Sequence, residues 1–175
     1  MKRLIFSLLL CGFAMLCVNA QTPAKQVKAD EGAMPYEARM NTNFSIGSAQ
    51  FSRMVLNLWK DWDRNTLDNS VPLIADDVSA EFADGSTVQG KAAFLKSAKE
   101  FRSQFSKVES EVISYASLKG EGEDHSNIVL IWGNETSTKK DGSKLTNQLH
   151  EVWVFNDQGQ VVWMKQFMSQ PPKDK

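Results

Sequence analysis

From Ser48 onward the apolar positions Phe51, Met54, Val55, Leu58, Trp59 and Trp62 recur at spacings of three and one, which draws a single stripe on a helix. Ser48 sits where an N-cap is needed, and the pattern fades between Asn65 and Asn69. Residues 71–75 predict a short second helix with Pro72 in its first turn, closed by Asp76 and Asp77. Residues 78–83 read as a short strand, and Asp84-Gly85 turns the chain. Gly90 precedes a third helix, from Lys91 to about Phe105, with Phe94, Leu95, Ala98, Phe101 and Phe105 on one side. Beyond Lys107 the period changes to that of strands. Residues 107–119 alternate weakly. Residues 127–138 carry the unbroken apolar run from Ile128 to Trp132, the mark of a strand covered on both faces. Asp141-Gly142 is a hairpin turn signal.

The last pattern is a hairpin over residues 144–168, turning at Asn156-Asp157-Gln158-Gly159. Counting outward from Asn156 opposite Gln160 places Phe155/Val161, Trp153/Trp163, Glu151/Lys165 and Leu149/Phe167 on one face. The other face receives Val154/Val162, Val152/Met164, His150/Gln166 and Gln148/Met168. Neither face is mainly polar, so both need cover. Helices followed by a run of antiparallel strands give the α+β class, with the helices on one face of a curved sheet.

The N-terminus changes the picture of where such a domain works. Lys2 and Arg3 precede an apolar run from Leu4 to Val18, and Val18-Asn19-Ala20 offers a cleavage site. We read residues 1–20 as a signal peptide, residues 21–47 as a loose leader, 48–170 as the domain and 171–175 as a tail. The run is short for a membrane span, and none is expected after cleavage. Cys11 and Cys17 follow Leu10 and Leu16, where lipoprotein processing prefers a small residue, so that route is disfavoured without being closed. Cleavage after Ala20 leaves ~155 residues, enough for one core, and sends the protein to the periplasm or outside the cell. It also removes both cysteines, and takes the formal net charge from −1 to about −3. No thiol chemistry and no basic surface for nucleic acid are expected. No spacing suggests a structural metal site or a phosphate loop, so no metal or other cofactor is expected. Asp124-His125-Ser126 holds triad residue types but not triad geometry, because neighbours on a loop cannot form the relay. Asn43-Phe44-Ser45 and Asn134-Glu135-Thr136 match the glycosylation triplet and carry no weight if, as the signal sequence suggests, the protein is bacterial.

Several short motifs lie in the order found in one superfamily: Leu73-Ile74-Ala75-Asp76-Asp77-Val78, Asp84-Gly85, Gly90-Lys91-Ala92-Ala93-Phe94, and the hairpin from Val154 to Val161. Over residues 50–170 the chain resembles the nuclear transport factor 2-like superfamily, in the style of its SnoaL-like and ketosteroid isomerase-like branches. The resemblance implies a cone, a curved antiparallel sheet wrapped around three N-terminal helices with a pocket between. It also implies a homodimer through the outer sheet face. Isomerases of this kind use a carboxylate base, a tyrosine and a late protonated acid. By resemblance the base position holds Phe82, the tyrosine position falls near Leu58 beside Trp59, and only the acid is matched, by Glu151.

Two readings stand for each candidate. Glu151 is either a pocket carboxylate or an ordinary cross-strand partner of Lys165, and the latter is favoured. His150 is either a general base or a half-buried polar residue at a sheet edge or dimer contact, again favoured as the latter. The two are adjacent on a strand and cannot share one pocket without a bulge. Leu58, Trp62, Phe82, Trp132, Glu151 and Met168 are the expected pocket residues. Together they suggest a non-catalytic cavity for a small hydrophobic molecule. The alternatives are an isomerase, dehydratase or cyclase of the SnoaL type using Glu151 or His150, and a structural dimerisation module of the cell envelope.

Overall fold

The stripe that begins at Phe51 forms α1, Ala49–Arg64, in a computed structural model that describes residues 35–36, 38, 43–122 and 125–169. Ser48 caps it, its hydroxyl accepting the Gln50 N–H at 3.2 Å. Asn65 ends it in the left-handed region at φ 57°. The expected signal peptide, most of the leader and the C-terminal tail lie outside the described residues.

The next elements shift relative to the expected ones. Residues 71–75 are not a separate helix. A 3₁₀ helix spans Leu67–Leu73, and β2 starts at once as Ile74–Glu81, earlier than expected. Asp61 stitches this corner to α1, accepting from Ser70, Thr66 and Asn69 at 2.7, 2.9 and 3.2 Å. Burial works against its charge, but those three hydrogen bonds and Arg64 outweigh it and hold its pKa low. A short strand, β3, Thr87–Gln89, follows the Asp84-Gly85 turn and has too few residues to leave a pattern. The helix α2, Lys91–Arg102, ends before Phe105, which opens β4, Phe105–Gly120. The strands β5, Asn127–Lys139, β6, Lys144–Phe155, and β7, Val161–Ser169, complete the sheet. One more strand, β1, Phe44–Ile46, lies inside the expected leader and pairs antiparallel with the end of β4.

The seven strands run in the order β1-β4-β5-β6-β7-β2-β3, curved and unclosed, and all pairings but β2/β7 are antiparallel. The fold is the α+β cone expected. Its core joins Val55, Leu58 and Trp59 of α1 to Val129 and Ile131 of β5, Trp153 and Phe155 of β6, and Val161 and Met164 of β7.

The hairpin turn forms as read, with Asn156 Oδ1 accepting from Gln160 N and Gly159 at φ 77°. The register holds for Phe155/Val161 and then slips. Val162 is an extra residue without a partner, so Val154 meets Trp163, Trp153 meets Met164, Val152 meets Lys165, Glu151 meets Gln166 and His150 meets Phe167. A bulge of one residue turns every later side chain of β7 to the opposite face. The unbulged register would have put Trp163 against Trp153 and Lys165 beneath the helix. The bulge seats slim Met164 in the core instead. It also sends Trp163 and Lys165 outward to Glu81, at 3.3 and 2.6 Å.

Candidate functional site

Between α1, α2 and the inner face of the sheet lies a cavity of about 340 Å³. Its walls are mostly apolar: Leu58, Trp59 and Trp62 from α1, Phe94 and Phe101 from α2, Phe105 from β4, Leu149 and Trp153 from β6, and Met164 from β7. Phe82 lies just beyond the end of β2, stacked on Phe94 with ring centroids 6.5 Å apart. Met168 lines the cavity from β7 and is half exposed. Leu58, Trp62, Phe82, Glu151 and Met168 thus line one cavity.

Trp132 is not with them. Even-numbered residues of β5 from Ile128 to Trp132 face away from the helices, and Trp132 stacks on His150 with centroids 4.5 Å apart. His150 stacks in turn on Phe167 at 5.7 Å. His150 therefore lies on the outer face, in an interior strand and not at a sheet edge, opposite Phe167 and not Gln166. Its Nε2 is buried without a hydrogen-bond partner. Alternation separates His150 from Glu151, because the bulge is in β7 and leaves β6 regular.

The favoured pairing of Glu151 with Lys165 is overturned. Glu151 is 5% exposed, and its carboxylate lies under α1. Oε2 accepts from Trp59 Nε1 at 2.7 Å and from Trp153 Nε1 at 3.0 Å, and Oε1 accepts from Gln166 Nε2 at 2.9 Å. Burial pushes its pKa above the ordinary carboxylate value. The hydrogen bonds from Gln166, Trp59 and Trp153 pull the other way without cancelling it, and the charge of Glu135 adds to the rise. A carboxyl group biased toward its protonated form in an apolar hollow can donate a proton or a hydrogen bond.

Glu135 is the residue that sequence reasoning missed. It is 9% exposed and lines the same cavity. Trp62 Nε1 donates to its Oε2 at 2.7 Å, and Ser137 Oγ to its Oε1 at 2.9 Å. Two tryptophans three apart on α1 thus each hold one carboxylate on the sheet. The signal was present but faint: Glu135, Ser137 and Asn147 occupy positions that alternation with buried Val129, Ile131 and Leu149 assigns to the inner face. Asn147 pairs directly with Glu135 across β5/β6, and its Oδ1 is buried without a partner.

Arg102 stands behind this wall and does not line it. It donates to the backbone carbonyls of Trp62, Phe105 and Asp63 at 2.8, 3.1 and 3.0 Å. Burial pushes its pKa down, while the charges of Glu135 and Asp63 oppose that. Gly133 makes the arrangement possible. A Cβ there would stand 2.6 Å from Glu111 O and 2.7 Å from Trp59 Cζ3, so only glycine lets the Trp59 indole lie flat on β5 and reach Glu151. Among the described residues no group of His, Cys, Asp and Glu is arranged to hold a metal ion, and no helix is long and apolar enough to cross a membrane.

No family model matches the chain, and no curated protein sequence does. Its likeness is structural. An NTF2-like protein of unknown function from Exiguobacterium sp. 255-15 superposes with a TM-score of 0.55 at 11% identity, over 67% of this chain and 99% of that one. An LEH-like epoxide hydrolase from M. tuberculosis gives 0.57 at 12%, over 70% and 84%. A SnoaL-like protein from Jannaschia sp. CCS1, named as a candidate polyketide cyclase, gives 0.56 at 16%, over 69% and 86%. At such identities the likeness carries the fold and leaves the chemistry open. The chain has the NTF2-like cone, as its element order and motifs suggested.

Proposed function

We propose that this exported protein binds a small hydrophobic molecule in the cavity between α1 and the sheet, without transforming it. The observation that supports this reading best is the cavity itself, apolar over most of its wall with a narrow polar strip of Glu135, Asn147, Glu151 and Gln166. That is the usual make-up of a small-molecule site: apolar walls for affinity and a few polar groups for orientation. Phe82 and Leu58 stand where the resemblance asks for a base and a tyrosine, and neither side chain can accept or donate a proton. Trp59, Trp62 and Trp153 line the cavity, so titration with hydrophobic ligands should change the intrinsic fluorescence. No response across a broad panel would contradict the proposal. Export is tested by the N-terminus of the mature protein, expected at Gln21.

A second reading is favoured by one specific observation. Glu151 is biased toward its protonated form and shares the cavity with a second carboxylate, Glu135. Such a pair can supply an acid and a base for isomerase, dehydratase or cyclase chemistry. Mass spectrometry of a bound ligand after incubation separates the two readings. A product that forms with the natural chain but not with Glu151→Gln would establish catalysis.

The outer face suits a second copy of the chain. Phe167 is about half exposed and stacks on His150, which stacks in turn on Trp132. A homodimer through this face would cover them. Light scattering should give twice the mass of the chain, and Trp132→Asp should halve it.

A further inference from the structure

Resting on the reading of the cavity as a ligand site, we infer that its ligand is a hydrophobic amine, held as its ammonium form at Glu135 and Asn147. The argument is a count of donors and acceptors along the polar strip. Most donors on the strip serve its two carboxylates. The indole N–H groups of Trp59 and Trp153 and one amide N–H of Gln166 go to Glu151, while Trp62 N–H and the Ser137 hydroxyl go to Glu135. One acceptor is left over. Asn147 Oδ1 is buried and unpartnered, and it lies directly across the strand pair from Glu135. A buried acceptor without a partner is costly, and a ligand N–H removes that cost.

Charge points the same way. Asp84, Glu135 and Glu151 line the cavity, and no Lys, Arg or His is among the lining residues described. Arg102 lies behind the wall, and three of its five N–H groups go to backbone carbonyls. Asp63 and Glu135 together outnumber it. A carboxylate or phosphate ligand would meet like charge at Glu135 and Asp84 and no cation among the lining residues described. An ammonium group would find Glu135, Asn147 Oδ1 and the faces of nearby rings. Trp62 and Phe101 stack at 6.2 Å, with Phe105 edge-on to Phe101 at 5.3 Å. Ring faces attract cations, and the carboxylate offsets the cost of taking the charge out of water.

The test uses three molecules of one skeleton: 1-adamantylmethylamine, 1-adamantylmethanol and 1-adamantanecarboxylate. Each is titrated into the full-length chain at neutral pH and followed by calorimetry. The amine should bind at least about tenfold more tightly than the alcohol, as a charged hydrogen bond is worth over a neutral one, and the carboxylate should not bind. Glu135→Gln, which keeps an acceptor for Trp62 while the Ser137 hydroxyl turns to accept from the new amide, should erase the amine's advantage and leave the alcohol's affinity in place. Should that variant fail to fold, Asn147→Leu should weaken the amine while leaving the skeleton's apolar contacts intact. Equal binding of amine and alcohol, or tighter binding of the carboxylate, overturns this inference and leaves the ligand cavity standing. If none of the three binds, the cavity reading fails along with it.

Discussion

The two faces of β6 lie one residue apart in sequence and differ completely in how they treat polarity. On the inner face Glu151 is buried with three N–H donors around its carboxylate. On the outer face His150 is sandwiched between Trp132 and Phe167, with a buried ring nitrogen left unpartnered. The inner group is satisfied by side chains of this chain, from α1, β6 and β7. The outer group is held by ring stacking alone. Polar residues of the same strand are thus assigned to two tasks by alternation alone, and one bulge at Val162 decides which β7 residues serve each.

The comparison breaks most sharply at Gly133. A methyl group there collides with the Glu111 carbonyl and the Trp59 ring, so Gly133→Ala should cost ~3 kcal/mol in urea unfolding. Only the inner face should suffer, seen as lost Trp59 fluorescence with the mass in solution unchanged. Next is Trp59→Phe, which removes one donor from a buried carboxylate and should cost ~2 kcal/mol. It should also raise the Glu151 pKa further.

Glu151→Gln is a finer probe. The folded chain holds the Glu151 proton more tightly than the unfolded chain does. That contribution to stability is complete below the ordinary carboxylate pKa and is lost as pH rises through the raised folded value. The natural chain should therefore lose stability relative to the variant as pH rises from acid to neutral, and the variant's side-chain amide still accepts from both indoles. The smallest effect is expected from Trp132→Ala. It should leave ligand titrations within error of the natural chain, because Trp132 does not reach the cavity.

Much of this was legible in the sequence. The α1 stripe, its Ser48 cap, the third helix, the long strands and both tight turns follow from local pattern and turn chemistry, and these are strong signals. The 3₁₀ helix was placed a few residues late and β3 was not read, because seven and three residues leave no measurable period. The site suffered a different failure. Counting from the turn assumed an unbroken ladder, and nothing in Gln160-Val161-Val162-Trp163 announces an extra residue. Its cause is tertiary: the space beneath α1 takes Met164 against Trp153, and Glu81 waits on β2 for Lys165. That single slip made Glu151 look like half of an ordinary surface pair. Trp132 was misplaced for a related reason, since an unbroken apolar run does not reveal which of its faces meets the helices. Glu135 was noted only within a glycosylation triplet, though alternation from Ile131 pointed it inward.

The account rests on a carboxyl group that stays protonated in the apolar hollow after ordinary glutamates have ionised. Carbon-13 NMR of side-chain carboxyls, across a pH titration of the full chain, reads this directly. One glutamate should titrate well above the others, and Glu151→Gln should delete that signal. If every glutamate titrates in the ordinary range, or the displaced signal survives the substitution, Glu151 is not the buried acid described.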